Sequence, residues 1–404
     1  VNEADTCREF VLPKLRAAGW DEKPYSFTEQ RTFTDGRIIP LGSRIKRGKQ
    51  KRADYLLRYR RDYTVAVVEA KPEYKSPGAG LQQAKNYADI LDLKFAYSTN
   101  GHGIVEFDFL AGTETALDSF PTPDELWKRL HPETSSAEED HPVLAPYNLQ
   151  SAVAPRYYQD IAINRTVHAI VAGQPRLLLT MATGTGKTTT AFQISWKLWT
   201  TRWNRTGQHR RPRILYLADR NILVDDPLTK DFAPFGDAVC KITGNNAPKS
   251  RDIYFAIYQA IAEDEARPGL YRTYPPDFFD LIIIDECHRG SARANSTWRE
   301  ILDYFKPAVQ LGMTATPLRE ESRDTYRYFG KPLYTYSLRD GIEDGFLAPY
   351  RLHRVVTTAD AAGWRPTKGS WISMAARSPT RSTRPRTSSA LSHFGHELRR
   401  SPIT

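Results

Sequence analysis

The stretch at 177–188, LLLTMATGTGKT, limits what this chain can fold into more than any other. Three consecutive leucines fit the end of a strand buried on both faces, as in a parallel sheet. Gly184 and Gly186 supply the backbone freedom for a loop whose N–H groups converge on one anion. TTAFQISWKLW then reads as a helix that turns its positive end toward the same point. Strand, loop, Gly-Lys-Thr and helix together predict a phosphate-binding loop made by Thr183, Gly184, Thr185, Gly186, Lys187 and Thr188. Lys187 is expected to reach the β- and γ-phosphates of a nucleoside triphosphate, and the Thr188 hydroxyl to ligate Mg²⁺. The sequence departs from GxxxxGK[ST] at the first position, which is Met181.

At 404 residues, 40% of them hydrophobic, the chain can hold two or three domains with cores of their own. The net charge is +10, but residues 365–404 carry eight Lys/Arg and one Asp/Glu, or +7, leaving +3 for residues 1–364. Bulk charge is therefore weak evidence for a nucleic-acid partner. Cys7, Cys240 and Cys287 lie far apart, which suits a reducing compartment and argues against a disulfide scaffold or zinc site. No basic-then-apolar leader is visible and no apolar run approaches about 18 residues, so a cytoplasmic chain without membrane contact is expected.

Residues 1–115 read as an α/β layer. Asn2 can cap a helix with an apolar stripe at Phe10, Val11 and Leu15, stopped by Gly19, with a kink or earlier end at Pro13. Strands are expected at 54–59, 64–71, 94–99 and 103–109, with a helix at 80–93. Glu69 and Lys71, two apart on a strand, share a face, and Asp54 opens the preceding strand. If the two strands pair, two carboxylates and one ammonium meet. Asp54 and Glu69, helped by the Ala70 carbonyl, can then hold Mg²⁺, with Lys71 stabilising charge that grows on phosphorus. The plain alternative is a surface salt-bridge cluster; Glu69 ending an apolar AVV run favours a buried site. Gln83 and Tyr87 lie four apart on one helix face, where they can contact DNA, or Tyr87 can belong to the core.

Residues 116–150 are rich in Pro, Ser and acids and read as a linker with one helical piece, PDELWKRL. In residues 151–350, Arg156 and Gln159 start a helix, and a glutamine amide has the donor and acceptor that adenine's edge requires. Tyr157 or Tyr158 can stack on a base. RILYLAD and DIYFAIYQ read as strands that end at Asp219 and Gln259. LIIIDECH is a buried strand ending in Asp285, expected to hold Mg²⁺, and Glu286, expected to orient or deprotonate the attacking water. His288 lacks partners at zinc spacing. VQLGMTAT ends in Thr314, Ala315 and Thr316, whose hydroxyls can couple hydrolysis to a nucleic-acid groove.

The D…ExK trio with GLQQAKNYA resembles the PD-(D/E)xK nuclease fold, in the variant with a Q-x-x-x-Y helix. That family implies that an early helical glutamate joins the metal site, and Glu9 is the matching position. Ala53 stands where the family's proline would be. ATGTGKT, DECH and TAT resemble motifs I, II and III of superfamily 2 helicases, and Arg156 and Gln159 resemble the Q motif, which implies a RecA-like parallel-sheet lobe that binds ATP. Together, over residues 1 to about 360, these features resemble the restriction and translocation subunit of type I restriction–modification systems. The resemblance implies ATP-driven translocation on double-stranded DNA coupled to Mg²⁺-dependent cleavage. It also implies assembly with modification and specificity subunits. Rival readings are a stand-alone nuclease–helicase of DNA repair and a non-catalytic remnant that binds DNA or nucleotide.

Such motors need a second lobe that supplies an arginine finger. From 351 the sequence reads as the partial start of a further region, and after Trp364 as a basic Ser/Thr/Arg/Pro-rich tail without periodicity, expected to be disordered. The tail fits an out-of-frame end that truncates the chain after one motor lobe, or a nucleic-acid-binding segment. Under the first reading nucleotide is contacted with little hydrolysis.

Overall fold

The computed structural model describes residues 2–41, 44–132, 141–149, 154–243, 247–262, 269–287, 299–316 and 325–350, together with the pairs 371–372 and 376–377. Val1–Pro349 form one compact unit. Within Tyr350–Thr404 an antiparallel pair, Trp371–Ile372 with Ala376–Arg377, is described. The rest of the expected tail lies outside the described residues.

The first sheet has six strands among the described residues. They are β1 (Ser26–Thr32), β4 (Arg52–Arg60), β5 (Tyr63–Ala70), β6 (Phe95–Thr99), β7 (Ile104–Asp108) and β8 (Thr113–Leu117), ordered β1-β4-β5-β6-β7-β8. A separate ribbon, β2 (Ile38–Leu41) paired with β3 (Arg44–Arg47), links β1 to β4. Only β5 and β6 run parallel, because a helix spans the crossover between them; the other neighbours are antiparallel. Alternation along the strands splits the core. Tyr55, Leu57, Val68 and Tyr97 face one side, and Leu56, Val67 and Ala96 the other, where Ala84 and Ala88 of α3 (Leu81–Leu91) cover them.

The first face is covered by the N-terminal helix, α1 (Glu3–Thr6) continuing through a π-helical turn at Cys7–Val11 into α2 (Leu12–Ala17). Pro13 neither ends nor breaks this helix. The Leu12 N–H bonds back to the Cys7 carbonyl just ahead of it, widening the turn before the residue that has no N–H to give.

The expected linker packs on both sheets. α4 (Pro123–Leu130) starts in a capping box at Thr122 and buries Leu126 and Trp127 in the first core. Arg129 forks onto Glu106 (2.8 Å) and Asp108 (2.6 Å). Farther on, Val143 and Tyr147 enter the second core, and the buried Lys197 ammonium donates to the carbonyls of Val143 and Ala145.

The second sheet is wholly parallel, ordered β11-β12-β10-β13-β14-β9-β15. Its strands are β9 (Arg176–Met181), β10 (Ile214–Ala218), β11 (Val239–Lys241), β12 (Ile253–Ile257), β13 (Leu281–Asp285), β14 (Val309–Thr314) and β15 (Tyr334–Tyr336). Leu177 and Leu179 point to one core and Leu178 to the other, so the apolar runs are buried on both faces. α5 (Tyr157–Val171) and α6 (Lys187–Thr200) lie on one face, beside β9.

Candidate active sites

Antiparallel pairing of β4 with β5 sets Asp54 and Glu69 side by side, one step beyond the Tyr55–Val68 pair. The Ala70 N–H donates to Asp54 Oδ2 (2.8 Å), and the Asp54 N–H reaches Glu69 Oε1 at 3.4 Å. Lys71 Nζ lies 3.7 Å from Glu69 Oε2 and donates to Gln83 Oε1 (3.2 Å); Gln83 Nε2 donates in turn to the Tyr87 hydroxyl (3.3 Å). Asp54, Glu69 and Lys71, expected to meet if the strands pair, do come together, and Gln83 and Tyr87 continue the chain of contacts from Lys71. Glu69 is 1% exposed and Asp54 6%. Burial first, and the Asp54 charge second, push the Glu69 carboxyl up to about 8, against the pull of Lys71.

Glu9 does not join them. It is exposed, half a turn away from Cys7, whose thiol feels Asp54. Glu3, one helical turn before Cys7, comes to 3.9 Å of Lys71 Nζ instead. Gln30, not anticipated, lies opposite Asp54 across the β1–β4 pair in a left-handed conformation (φ 52°) and donates to Asp54 Oδ1 (2.9 Å). No sequence signal marks it, since residues 26–32 show no hydrophobic alternation. Among the described residues no three His, Cys, Asp or Glu side chains converge as a metal cluster. A cation here would rest on two carboxylates, backbone oxygen and water. Hard oxygen donors, on a carboxyl whose charged form is disfavoured by burial and by the neighbouring Asp54 charge, suit a hard divalent ion.

The second site lies at the C-terminal edge of adjacent strands β13, β14 and β9, where open α/β sheets present ligand contacts. After Met181 the chain curls through Gly184 (φ 82°) and Gly186 (φ 80°) into α6, with Thr183 exposed and Thr185 buried. A Cβ on Gly186 would stand 2.3 Å from Gln159 Nε2. Lys187 Nζ is 3.5 Å from Glu286 Oε1, both side chains largely buried. Asp285 Oδ2 accepts from the Tyr216 hydroxyl (2.9 Å), and the Thr188 side chain lies beside that hydroxyl. Tyr216, in the middle of an apolar strand, gave no sign of this role in the sequence. Burial raises the Asp285 carboxyl above its ordinary range. Thr314 is buried at the end of β14, and its hydroxyl accepts from the Thr316 N–H (3.1 Å) across Ala315. At the ends of the neighbouring strands, Gln259 Nε2 donates to the Asp219 carbonyl (3.4 Å). His288 lies outside the described residues.

Two expectations change. The Gln159 amide is taken up by the protein: its Oε1 accepts from the Arg156 N–H (2.9 Å) and its Nε2 donates to the Thr185 carbonyl (3.1 Å). It braces the loop rather than presenting a free edge to a base. Tyr158 is fully buried and stacked on Tyr336 at 3.8 Å, and Tyr157 bonds Asp344, so neither ring is free to stack on a nucleotide. Both were pulled into the core because α5 must cover β9 and β15. Arg156 lies over Phe346, 4.5 Å from the ring centre.

Residues 152–319 match the family described as type III restriction enzyme, res subunit. The chain is 45% identical over 377 residues to the type I restriction enzyme EcoAI endonuclease subunit of Escherichia coli, covering 91% of this chain and 46% of that one. It is 31% identical to the EcoKI endonuclease subunit of Escherichia coli K12, covering 70% and 25%. A solved fragment described as an HsdR subunit of a type I restriction enzyme from Vibrio vulnificus superposes with a TM-score of 0.77 at 60% identity, over 89% of this chain and 64% of that one. The chain thus spans half or less of the curated relatives' length. With the phosphate loop, the acid pair and the α/β sheets all in place, the chain belongs to the endonuclease (HsdR) subunits of type I restriction enzymes.

Proposed function

We propose that this chain carries two reaction centres of a type I restriction subunit: a Mg²⁺-dependent centre that cleaves DNA and an ATP-binding motor lobe. The convergence of Asp54, Glu69 and Lys71 carries the reading. Residues 1–115 form a PD-(D/E)xK nuclease-like domain, 116–150 the connection and 151–350 a RecA-like lobe. Double-stranded DNA is the substrate, and modification and specificity subunits are the partners. Among the described residues no helix is long and apolar enough to cross a membrane.

Asp54 and Glu69, with the Ala70 carbonyl, would hold Mg²⁺. When bound, that ion polarises the phosphodiester and makes hydroxide available near neutral pH. Glu69 would have to give up its proton to hold the cation, since only the carboxylate ligates. The Lys71 ammonium, held by Gln83, faces the charge that grows on phosphorus. At the other centre the Gly184–Gly186 loop and Lys187 would receive the phosphates, with Thr188 and Asp285 beside their Mg²⁺. A triphosphate would draw Lys187 off Glu286 and free that carboxylate to orient water.

The test is nicking of supercoiled plasmid by the full chain with Mg²⁺. Nicking by the parent chain, and its loss in Lys71→Ala and Asp54→Asn, is expected. Equal nicking by parent and variants would remove these residues from the reaction.

A further inference from the structure

Residues 36–53 hold seven Lys/Arg and no Asp/Glu, a larger share of the charge than the mild average of the body suggests. The structure turns this run into the β2–β3 ribbon. Paired residues of an antiparallel ribbon share a face. Ile39 with Lys46 and Leu41 with Arg44 therefore line one face, and Ile38 with Arg47 and Pro40 with Ile45 the other. Neither face is covered: Ile45 is 72% exposed and Leu41 57%. A lone two-stranded hairpin is marginal in water.

Its base, in contrast, is tightly held. The Gly48 N–H donates to the Arg37 carbonyl (2.8 Å), and a Cβ on Gly36 would stand 2.4 Å from the Gly48 oxygen. A Cβ on Gly345, just past the helix Leu338–Glu343 of the motor lobe, would stand 2.1 Å from the Gly36 oxygen. Arg37 pairs with Glu343 (2.8 Å), and Arg47 with Asp35 (3.9 Å). Two of the cations are thus spent on anchoring. Arg44, Lys46, Lys49 and Arg52 are exposed and make no ion pair among the described residues. Arg52 lies two residues before Asp54 on β4, on the same side of the strand.

We propose that the β2–β3 ribbon is an arm that grips duplex DNA between the motor lobe and the Asp54–Glu69 centre, with Arg44, Lys46, Lys49 and Arg52 on its phosphates. A two-stranded ribbon fits the major groove of B-DNA, where exposed aliphatic side chains meet thymine methyl groups. A run of free cations with no acid among them selects a polyanion over another protein surface. The base, locked to both halves, fixes where the duplex runs. The proposal rests on the DNA-cleaving reading above.

The experiment is fluorescence anisotropy of the full chain with a duplex of about 30 base pairs, without divalent cation, across a salt series. The triple variant Arg44→Ala, Lys46→Ala, Lys49→Ala is expected to bind at least about tenfold more weakly, with a slope of log affinity against log salt reduced by about 2.7. A matched triple substitution to Ala of Arg16, Lys128 and Lys306, exposed elsewhere, should bind as the parent does. Because the ribbon cations are exposed, melting should not move. If the ribbon variant keeps parental affinity and slope, the arm is refuted while the cleavage reading stands, and loss of modification–specificity association in that variant would make the ribbon a protein-docking strand. If the parent chain itself fails to bind duplex at low salt, both readings fall.

Discussion

The two centres are built in opposite ways. The phosphate loop is contiguous: strand, turn, lysine and helix follow one another at 176–200, and the backbone itself is the cradle. The carboxylate centre is dispersed, drawing Glu3, Gln30, Asp54, Glu69, Lys71, Gln83 and Tyr87 from a helix, three strands or strand ends and a second helix. The first depends on local conformation. The second depends on sheet register, and a one-residue slip of β5 would turn Glu69 to the other face. The loop should therefore tolerate changes elsewhere in the sheets, and the carboxylate centre should not.

The sharpest way to separate the centres is to disable each lysine in turn. Lys71→Ala should cut nicking by about 10²–10³, as loss of one charge-stabilising donor does, and leave nucleotide affinity alone. Lys187→Ala should do the reverse, weakening nucleotide binding by about 10–100-fold in a fluorescence titration while nucleotide-free nicking persists. Crossed effects would show one linked centre.

Glu69 offers a second separation, through stability. Its carboxyl is raised to about 8 in the fold, so ionising it costs the folded chain and not the unfolded one. The penalty is absent below the ordinary carboxylate range, grows as pH rises and is complete above about 8. Without metal, Glu69→Gln should stabilise the chain by on the order of 3–5 kcal/mol at about pH 9 and by little at about pH 4. Thermal melts at both values check this. A variant destabilised more at about pH 9 than at about pH 4 would mean that Glu69 stabilises the fold as a carboxylate. Smaller again, Tyr216→Phe removes one hydrogen bond to Asp285 and should weaken Mg²⁺–nucleotide binding several-fold, about 1 kcal/mol. Smallest is Arg165→Ala. Its pair with Asp92 joins α5 to the end of α3 at 2.6 Å, but it is 42% exposed and should cost under about 1 kcal/mol in a melt.

The same contrast explains what was legible in the sequence. The loop, the Asp285–Glu286 exit and the order of the apolar strands could be read because their residues are neighbours or lie at strand ends. Asp54, Glu69 and Lys71 could be read because a tight β4–β5 connection leaves one natural pairing. Gln30 and Tyr216 could not, because each acts across a sheet from a strand with nothing else to mark it. Glu9 rests on the resemblance alone, whereas the fold brings Glu3, one turn before Cys7, to Lys71. β1 and β8 leave no strand signal in the sequence because they are edge strands, half to fully exposed, without apolar alternation. The stretch at 116–150 reads as a linker by composition, yet Leu126 and Trp127 of α4 dock it on the first core and Val143 and Tyr147 on the second.

The most direct measurement is anomalous diffraction from crystals of the chain soaked in Mn²⁺, a stand-in for Mg²⁺ with a usable signal. A peak bonded to Asp54 and Glu69 is expected, and it should be lost in Glu69→Gln. A parent crystal with Mn²⁺ bound elsewhere and none between these carboxylates would contradict that expectation.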